Sequence, residues 1–232
     1  MRTSLKILAA ILGFIIVVLI ALNIYFNDER LRQMIVPGIQ DATGADLQVE
    51  RLSLTFFRTF PKFGVEAERI FVPDERGDSL FSSEQLLVSV DLFPLLRDEL
   101  SISRLQLVRP MLFYTVRADS TTNIDFLLSE DEPEQIDEQG GYELSVSGFT
   151  LSESAVTYID SVSNSRVGVR GLDAGISLRF AENIESEVDA ELESLSVNMN
   201  NVNYFNNLSL SLNQTSTINL DEEILTLNDG FL

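Results

Sequence analysis

The side chains that most often carry out catalysis or bind metals are missing from this sequence. Its 232 residues include no histidine and no cysteine, which removes the commonest general base, the commonest metal ligand and the thiol nucleophile. Catalysis would need a carboxylate pair or a Ser–Lys arrangement, and lysine occurs only at Lys6 and Lys62. Asp160 and Asp173 lie near predicted strand ends, but nothing in the sequence pairs them. We therefore expect no enzyme activity, no metal site and no cofactor.

The regular pattern in the sequence belongs to its apolar residues. From Asp46 onward, apolar and polar residues alternate with a period of two, which is typical of β-strands with one apolar face. In six places two consecutive polar or small residues interrupt the alternation, which then resumes. The six pairs are Glu50-Arg51, Glu68-Arg69, Ser103-Arg104, Ser147-Gly148, Arg170-Gly171 and Glu193-Ser194.

Two structures explain such an interruption. A β-bulge absorbs one extra residue and keeps the apolar side chains on one face, while bending the strand. Repeated bulges would curl a long antiparallel sheet into a trough. A tight turn between two short strands is the alternative, although only Ser147-Gly148 and Arg170-Gly171 resemble turn pairs. The pattern favours bulges.

A continuous apolar segment precedes the strands. Residues 7–26 carry no charge, and a helix of about 20 residues spans the roughly 30 Å core of a bilayer. Arg2 and Lys6 before the segment place the short amino-terminal tail in the cytoplasm and the rest of the chain across the membrane. A cleaved signal peptide and a buried soluble helix are the alternatives. The representative anchor residues are Ile7, Phe14, Val18, Leu22 and Phe26.

Composition limits the possible partners. The formal charge of −20 repels phosphate backbones, so we expect no nucleic-acid binding. Without cysteines, a translocated domain must be held together by packing alone. The length allows one elongated domain or two small ones after the anchor.

Residues 28–43 predict an amphipathic helix. Its apolar positions are Leu31, Met34, Ile35 and Ile39, Gly44 provides a stop signal, and Pro37 is expected to kink or divide it. The helix could lie on the membrane or cap the domain, or it could be an ordinary surface helix packed on a sheet.

The remaining chain divides into three parts. Residues 28–128 contain the helix and a first β segment, in which Asp74–Asp78 reads as a solvated hairpin turn rather than a calcium loop. Residues 129–143 are acidic and read as a linker. Residues 144–232 resume the strand pattern, with a polar turn at Asn198–Asn203. Because the sequence stops directly after an apparent strand, we expect it to be the amino-terminal piece of a longer protein.

Several short motifs, in this order and spacing, resemble the amino-terminal region of the AsmA-like family of Gram-negative envelope proteins. The motifs are Leu92-x-Pro94-Leu95-Leu96, Ile102-x-x-Leu105-x-Leu107-x-x-Pro110 and Asn123-Ile-Asp-Phe-Leu-Leu128. The resemblance covers residues 1–128 well. Within this range, residues 1–27 correspond to the cytoplasmic tail and the transmembrane anchor. It departs at Asp119-Ser-Thr-Thr-Asn123, where the family usually has a glycine-containing turn.

The resemblance implies a mainly β fold with an N-terminal transmembrane helix and one short amphipathic helix. The fold would be an elongated, curved, bulged antiparallel sheet shaped like a taco or groove. It also implies a relationship to bridge-like lipid carriers, with phospholipid, the inner membrane and outer-membrane or periplasmic proteins as partners. The candidate groove-lining residues are Leu52, Leu54, Leu86, Val88, Val90, Leu92, Leu105, Leu107, Leu112, Tyr114, Val116, Phe149 and Leu151.

Two other interpretations of the same pattern stay open. The apolar face could be an ordinary core covered by helices or by a second sheet. The protein could also be a non-transporting, membrane-anchored scaffold or regulator of outer-membrane assembly that recruits partners through a sheet edge.

Overall fold

The computed structural model describes residue 25 and residues 27–55, 62–91, 100–127, 144–180, 184–219 and 224–231. These residues form one long curved sheet, one α-helix and a single turn of 3₁₀-helix at Asp125–Leu127. The helix α1 is Asp28–Thr43. The strands are β1 Gln48–Leu54, β2 Lys62–Pro73, β3 Ser79–Asp91, β4 Leu100–Val108, β5 Met111–Val116, β6 Leu144–Val146, β7 Gly148–Asp160, β8 Ser165–Phe180, β9 Ile184–Met199, β10 Val202–Asn219 and β11 Ile224–Phe231. The fold is therefore mainly β, as predicted.

The helix has defined caps at both ends. The Asn27 side chain accepts a hydrogen bond from the backbone N–H of Arg30 at 3.0 Å, which satisfies one of the free donors of the first turn. At the other end Gly44 adopts a left-handed φ of 68° and its N–H donates to Gln40 at 2.8 Å. Pro37 lies inside the helix without dividing it, so the expected division is wrong. The predicted stop at Gly44 is confirmed.

The helix packs on one corner of the sheet. Leu31 is buried against Leu52, Ala67 and Ile70, whereas Met34 stays exposed. The first turn of α1 also closes the outer edge of β1. Asp28 accepts a hydrogen bond from the N–H of Leu52 at 2.6 Å, and Arg32 donates to the carbonyl of Glu50 at 2.6 Å. Since an unpaired edge attracts further strands, α1 protects this edge.

The strands follow one another across the sheet in the order β1-β2-β3-β4-β7-β8-β9-β10-β11. All neighbours are antiparallel except at one place, where β4 and β5 run parallel to β6 and β7. The predicted antiparallel sheet is therefore confirmed, with one parallel junction that was not predicted. A parallel pair needs a connection of a dozen or more residues, and the chain between Val116 and Leu144 supplies it. The acidic residues 129–143 lie outside the described residues.

The two predicted turns take definite forms. At the β2–β3 turn, Asp74 is buried and accepts hydrogen bonds from the backbone N–H groups of Arg76 and Asp78. It also pairs with Arg117 at 3.1 Å. Residues 75–78 are exposed, so the predicted solvated hairpin turn is confirmed except at Asp74. In the segment where the family usually has glycine, Ser120 takes a left-handed φ of 66°.

Candidate functional site: an uncovered apolar face

Cross-strand pairing aligns the apolar residues in rows that run from β1 to β10. Neighbours in a row face each other directly, so their side chains share one face of the sheet. One row consists of Leu52, Ala67, Leu86, Leu107, Leu151, Ala174, Ala190 and Leu212. A parallel row consists of Leu54, Val65, Val88, Leu105, Phe149, Ile176 and Val188.

Four of the six interruptions, in β1, β2, β8 and β9, lie on one line across the sheet rather than at turns, whereas Ser103-Arg104 and Ser147-Gly148 lie side by side at another level. Strands β1, β2, β4, β8 and β9 each continue through the predicted pair of residues, and β6 and β7 are separated by Ser147 alone. Pairing in β1–β2 and β8–β9 keeps one register through the interruption, because the neighbouring strands change phase at the same level. The tight-turn alternative is therefore wrong. Ser103 lies at a register shift of the kind that a bulge produces.

We call this line the seam, defined by the left-handed residues Arg69, Arg109, Glu153, Gly171 and Asn207. On either side of the seam the apolar residues contribute to the same cluster. Ala67 and Ile70 flank it in β2, and both pack beneath α1. Two consecutive residues between them must then point away from the apolar face.

The seam carries a ladder of alternating charges. Arg109, the residue directly after β4, bonds Glu84 at 2.9 Å on one side and Glu153 at 2.8 Å on the other. Arg69 of β2 forms an ion pair with Glu50 of the neighbouring strand β1. These side chains are half exposed or more, and each pair spans two neighbouring strands. The ladder therefore ties strands together on the outer face where the backbone bends.

The ladder also sets the protonation of its carboxylates. The hydrogen bond from Arg109 lowers the pKa of Glu153 below its ordinary value. The hydrogen bond from Arg69 does the same for the pKa of Glu50. Both carboxylates stay ionised at neutral pH, so the ladder remains intact there.

Beyond the seam the apolar rows continue toward the turn ends of the strands. Phe81 packs against the cluster beneath α1 and pairs with Leu112, which places Leu112 on the apolar face. Tyr114, two residues further along the strand, shares that face. Its row consists of Tyr114, Tyr158, Val167, Val197 and Phe205.

Most of this face has no second layer on it. Among the described elements, each strand makes its main contacts with neighbours in the sheet, and the main packing from another layer is that of α1 on β1 and β2. After Leu80 in the sequence, none of the described aliphatic or aromatic side chains is buried, apart from proline. Ile176 and Leu212 are each 37% exposed. A shallow concavity of about 390 Å³ lies along this row. Its lining has Leu151, Ala174, Ala190 and Leu212 together with the residues on either side of each, which are polar or glycine.

The structure brings the described members of the predicted groove set to one sheet. Leu52 is buried under α1, Leu112 is exposed, and Leu54, Leu86, Val88, Val90, Leu105, Leu107, Tyr114, Val116, Phe149 and Leu151 are half-buried. Leu92 and the anchor residues Ile7, Phe14, Val18, Leu22 and Phe26 lie outside the described residues. Within the described part of the chain, no helix is long and apolar enough to cross a bilayer.

The predicted set omits half of the face. Ala174, Ile176, Val188, Ala190 and Leu212 continue the same two rows across β8, β9 and β10. Their alternation is as regular in sequence as that of β3, so the signal was present. The predicted set gave no weight to alanines.

The candidate catalytic carboxylates are used within the sheet. Asp160 accepts hydrogen bonds from the Ser163 hydroxyl and from the N–H groups of Ser163 and Val162. These bonds, the one from the Ser163 hydroxyl above all, lower the pKa of Asp160. Asp173 accepts one from the N–H of Glu153 at 2.9 Å. The described residues contain no group of three or more carboxylates that could hold a metal ion.

Fold and face together define a long single-layered β-sheet with an apolar trough, whose first strands are capped by a helix. The sequence model of the AsmA family matches residues 1–214. The chain therefore belongs to the AsmA family. None of the curated proteins compared with the chain matches it.

Proposed function

We propose that this AsmA-family protein carries phospholipids on its apolar face, between the inner and outer membranes of a Gram-negative envelope. The observation that carries the proposal is the run of apolar rows over β7–β10, on which no described element forms a second layer. Domains ordinarily bury such a face against another layer. A face left open in a stable sheet suits a mobile apolar ligand, at about 0.8 kcal/mol for each CH₂ kept from water.

The dimensions fit this use. Neighbouring strands lie about 4.8 Å apart, so the path from β1 to β11 extends about 40 Å across the strands. This exceeds the hydrocarbon thickness of a bilayer, about 30 Å. An acyl chain lying along the strands would reach these two apolar rows from the strand ends, since Leu151 and Tyr158 are seven residues, or about 23 Å, apart in β7. The headgroup would stay in water at the strand ends.

The remaining parts of the proposal come from the sequence and the family. Residues 7–26 anchor the chain in the inner membrane, and the sheet lies in the periplasm. The strongly acidic composition keeps the open sheet soluble through self-repulsion. The protein acts as a conduit rather than as an enzyme, and outer-membrane or periplasmic proteins receive the lipid.

A pair of neighbouring substitutions tests the proposal. Leu151 and Thr150 are consecutive in β7, so they lie on opposite faces of the sheet. Leu151→Glu places a charge on the apolar face, where it stays hydrated because no described element covers β7. Thr150→Glu places the same charge on the outer face. We expect Leu151→Glu to lose most of its co-purified phospholipid and Thr150→Glu to keep it, as measured by native mass spectrometry of the detergent-solubilised full chain.

A second variant guards against loss of folding. Ile176→Glu changes the 37% exposed residue of the other row and is expected to lose lipid in the same way, with unchanged circular dichroism. If all three variants carry as much phospholipid as the wild type, the apolar face is not the lipid-binding surface. A wild-type protein that carries no phospholipid but retains a bound protein would support the scaffold alternative.

A further inference from the structure

The apolar face contains one aromatic pair that differs from the rest of its lining. Tyr114 on β5 and Tyr158 on β7 are direct neighbours in the parallel junction, and their rings stack with centroids 5.6 Å apart and planes at 23°. Cross-strand aromatic pairs stabilise a sheet. Phenylalanine would serve that purpose equally well, so stacking does not explain the two hydroxyl groups.

The two hydroxyl groups are in different situations. The Tyr158 hydroxyl donates to the Asp160 carboxylate at 3.2 Å. Partial burial and this carboxylate raise the pKa of Tyr158. The Tyr114 hydroxyl has no hydrogen-bond partner among the described residues, and its ring is half-buried. A free hydrogen-bond donor is thus held in place on an apolar surface.

The pair lies where the face changes from apolar to polar. Across the strands, the row that contains Tyr158 continues with the apolar side chains of Val167 and Val197. Two residues along the strand from the pair, Asp160 pairs with Ser165 at the strand end. A phospholipid has the same sequence of groups, since its ester carbonyls separate the acyl chains from the charged headgroup.

We propose that the Tyr114 hydroxyl donates a hydrogen bond to an ester carbonyl of a phospholipid bound on the apolar face. This inference rests on the function proposed above. Tyr158 fixes the position of the Tyr114 ring by stacking, and its own hydroxyl is occupied by Asp160. The pair therefore sets how deeply a lipid lies as it passes the junction between β5 and β7.

The test compares two lipids that differ only in this acceptor. The full chain in detergent is given an equimolar mixture of dioleoyl phosphatidylethanolamine and its dialkyl ether analogue, which lacks ester carbonyls. Native mass spectrometry then measures the ratio of bound lipids. One neutral hydrogen bond contributes about 0.5–1.5 kcal/mol, so we expect the wild type to favour the diester about two- to tenfold.

Three variants identify the donor. Tyr114→Phe keeps the stacked ring and is expected to bring the ratio close to one. Tyr158→Phe should keep most of the preference, since its hydroxyl is already bonded. Tyr204→Phe, at a side chain that is 62% exposed, serves as the matched control and should leave the ratio unchanged.

The possible failures are distinguishable. If the wild type binds both lipids equally, or if Tyr114→Phe reduces both lipids to the same extent, Tyr114 does not recognise the ester and the inference is wrong. If the wild type binds neither lipid, the proposed function itself fails.

Discussion

The two ends of a single cross-strand row have very different environments. Leu52 at the β1 end is 4% exposed, whereas Leu212 at the β10 end is 37% exposed. Both are leucines on the same face, and both pair with an alanine, Ala67 and Ala190 respectively. The difference is the helix, because Leu31 of α1 covers the first end and nothing described covers the other.

This contrast shows what the strand pattern decides and what it leaves open. Alternation places side chains on one face but does not determine whether another element covers that face. The covered end resembles an ordinary two-layered domain with a small core. The open end is stabilised by its hydrogen-bonded neighbours within one layer, as in proteins whose repeating units contact only adjacent units. The first end is suited to hold the sheet in place, and the second to receive a ligand.

The largest expected effect comes from removing the same side chain at both ends of the row. Leu52→Ala leaves a cavity between α1 and the sheet and should lower the free energy of opening β1–β3 by about 3 kcal/mol. Leu212→Ala removes a side chain that already contacts solvent and should cost less than about 1 kcal/mol. Native-state hydrogen exchange, measured on peptides from β1–β3 and from β9–β10, compares the two. Equal effects would mean that the open end is covered in solution.

A smaller effect is expected at the seam within the open end. Gly171 has a left-handed φ of 60°, and a Cβ there would overlap the side chain of Glu193. Gly171→Ala should therefore destabilise the β8–β9 pair by about 1–2 kcal/mol. Gly168 in the same strand has no neighbour near its Cβ position and no positive φ, so Gly168→Ala is the matched control. Urea unfolding followed by circular dichroism should separate the two variants, and identical midpoints would contradict a strained seam.

The sequence predicted the helix stop and the phase changes within strands better than it predicted how the strands are connected. The Gly44 stop and the phase changes at Arg69 and Gly171 follow from residue type and spacing. The parallel junction does not, since alternation is the same for parallel and antiparallel strands. A signal was present in the similar segments Leu100-Ser-Ile-Ser103 and Leu144-Ser-Val-Ser147, which pair in register.

The candidate site was predicted in part for a related reason. Cross-strand rows depend on register, and register becomes visible only when the strands are paired. The half-buried leucines of β3 and β4 could be named from alternation alone. That Tyr114 stacks on Tyr158 could not, because the two residues are brought together by the crossover between β5 and β6.

The smallest effect is expected from the charge ladder, which joins the covered end to the open end at β3, β4 and β7. Arg109 lowers the pKa of Glu153, and Arg69 lowers that of Glu50, from an ordinary value near 4.5. A carboxylate with a lowered pKa in the folded state contributes stability above its unfolded pKa and loses it as pH falls through the folded pKa. The ladder's contribution should therefore be complete above about pH 5 and decline below pH 4.5.

Arg109→Gln removes the centre of the ladder and should lower the urea midpoint slightly at pH 7. The difference from the wild type should shrink as the pH falls below 4.5, and it should also shrink in high salt, because the side chains are exposed. Arg104→Gln is the control, since Arg104 is exposed in β4, five residues before Arg109, and has no ion-pair partner within the described chain. If the deficit of Arg109→Gln is independent of pH, the arginine acts by packing rather than by charge. The two ends of the sheet would then be joined by backbone pairing alone.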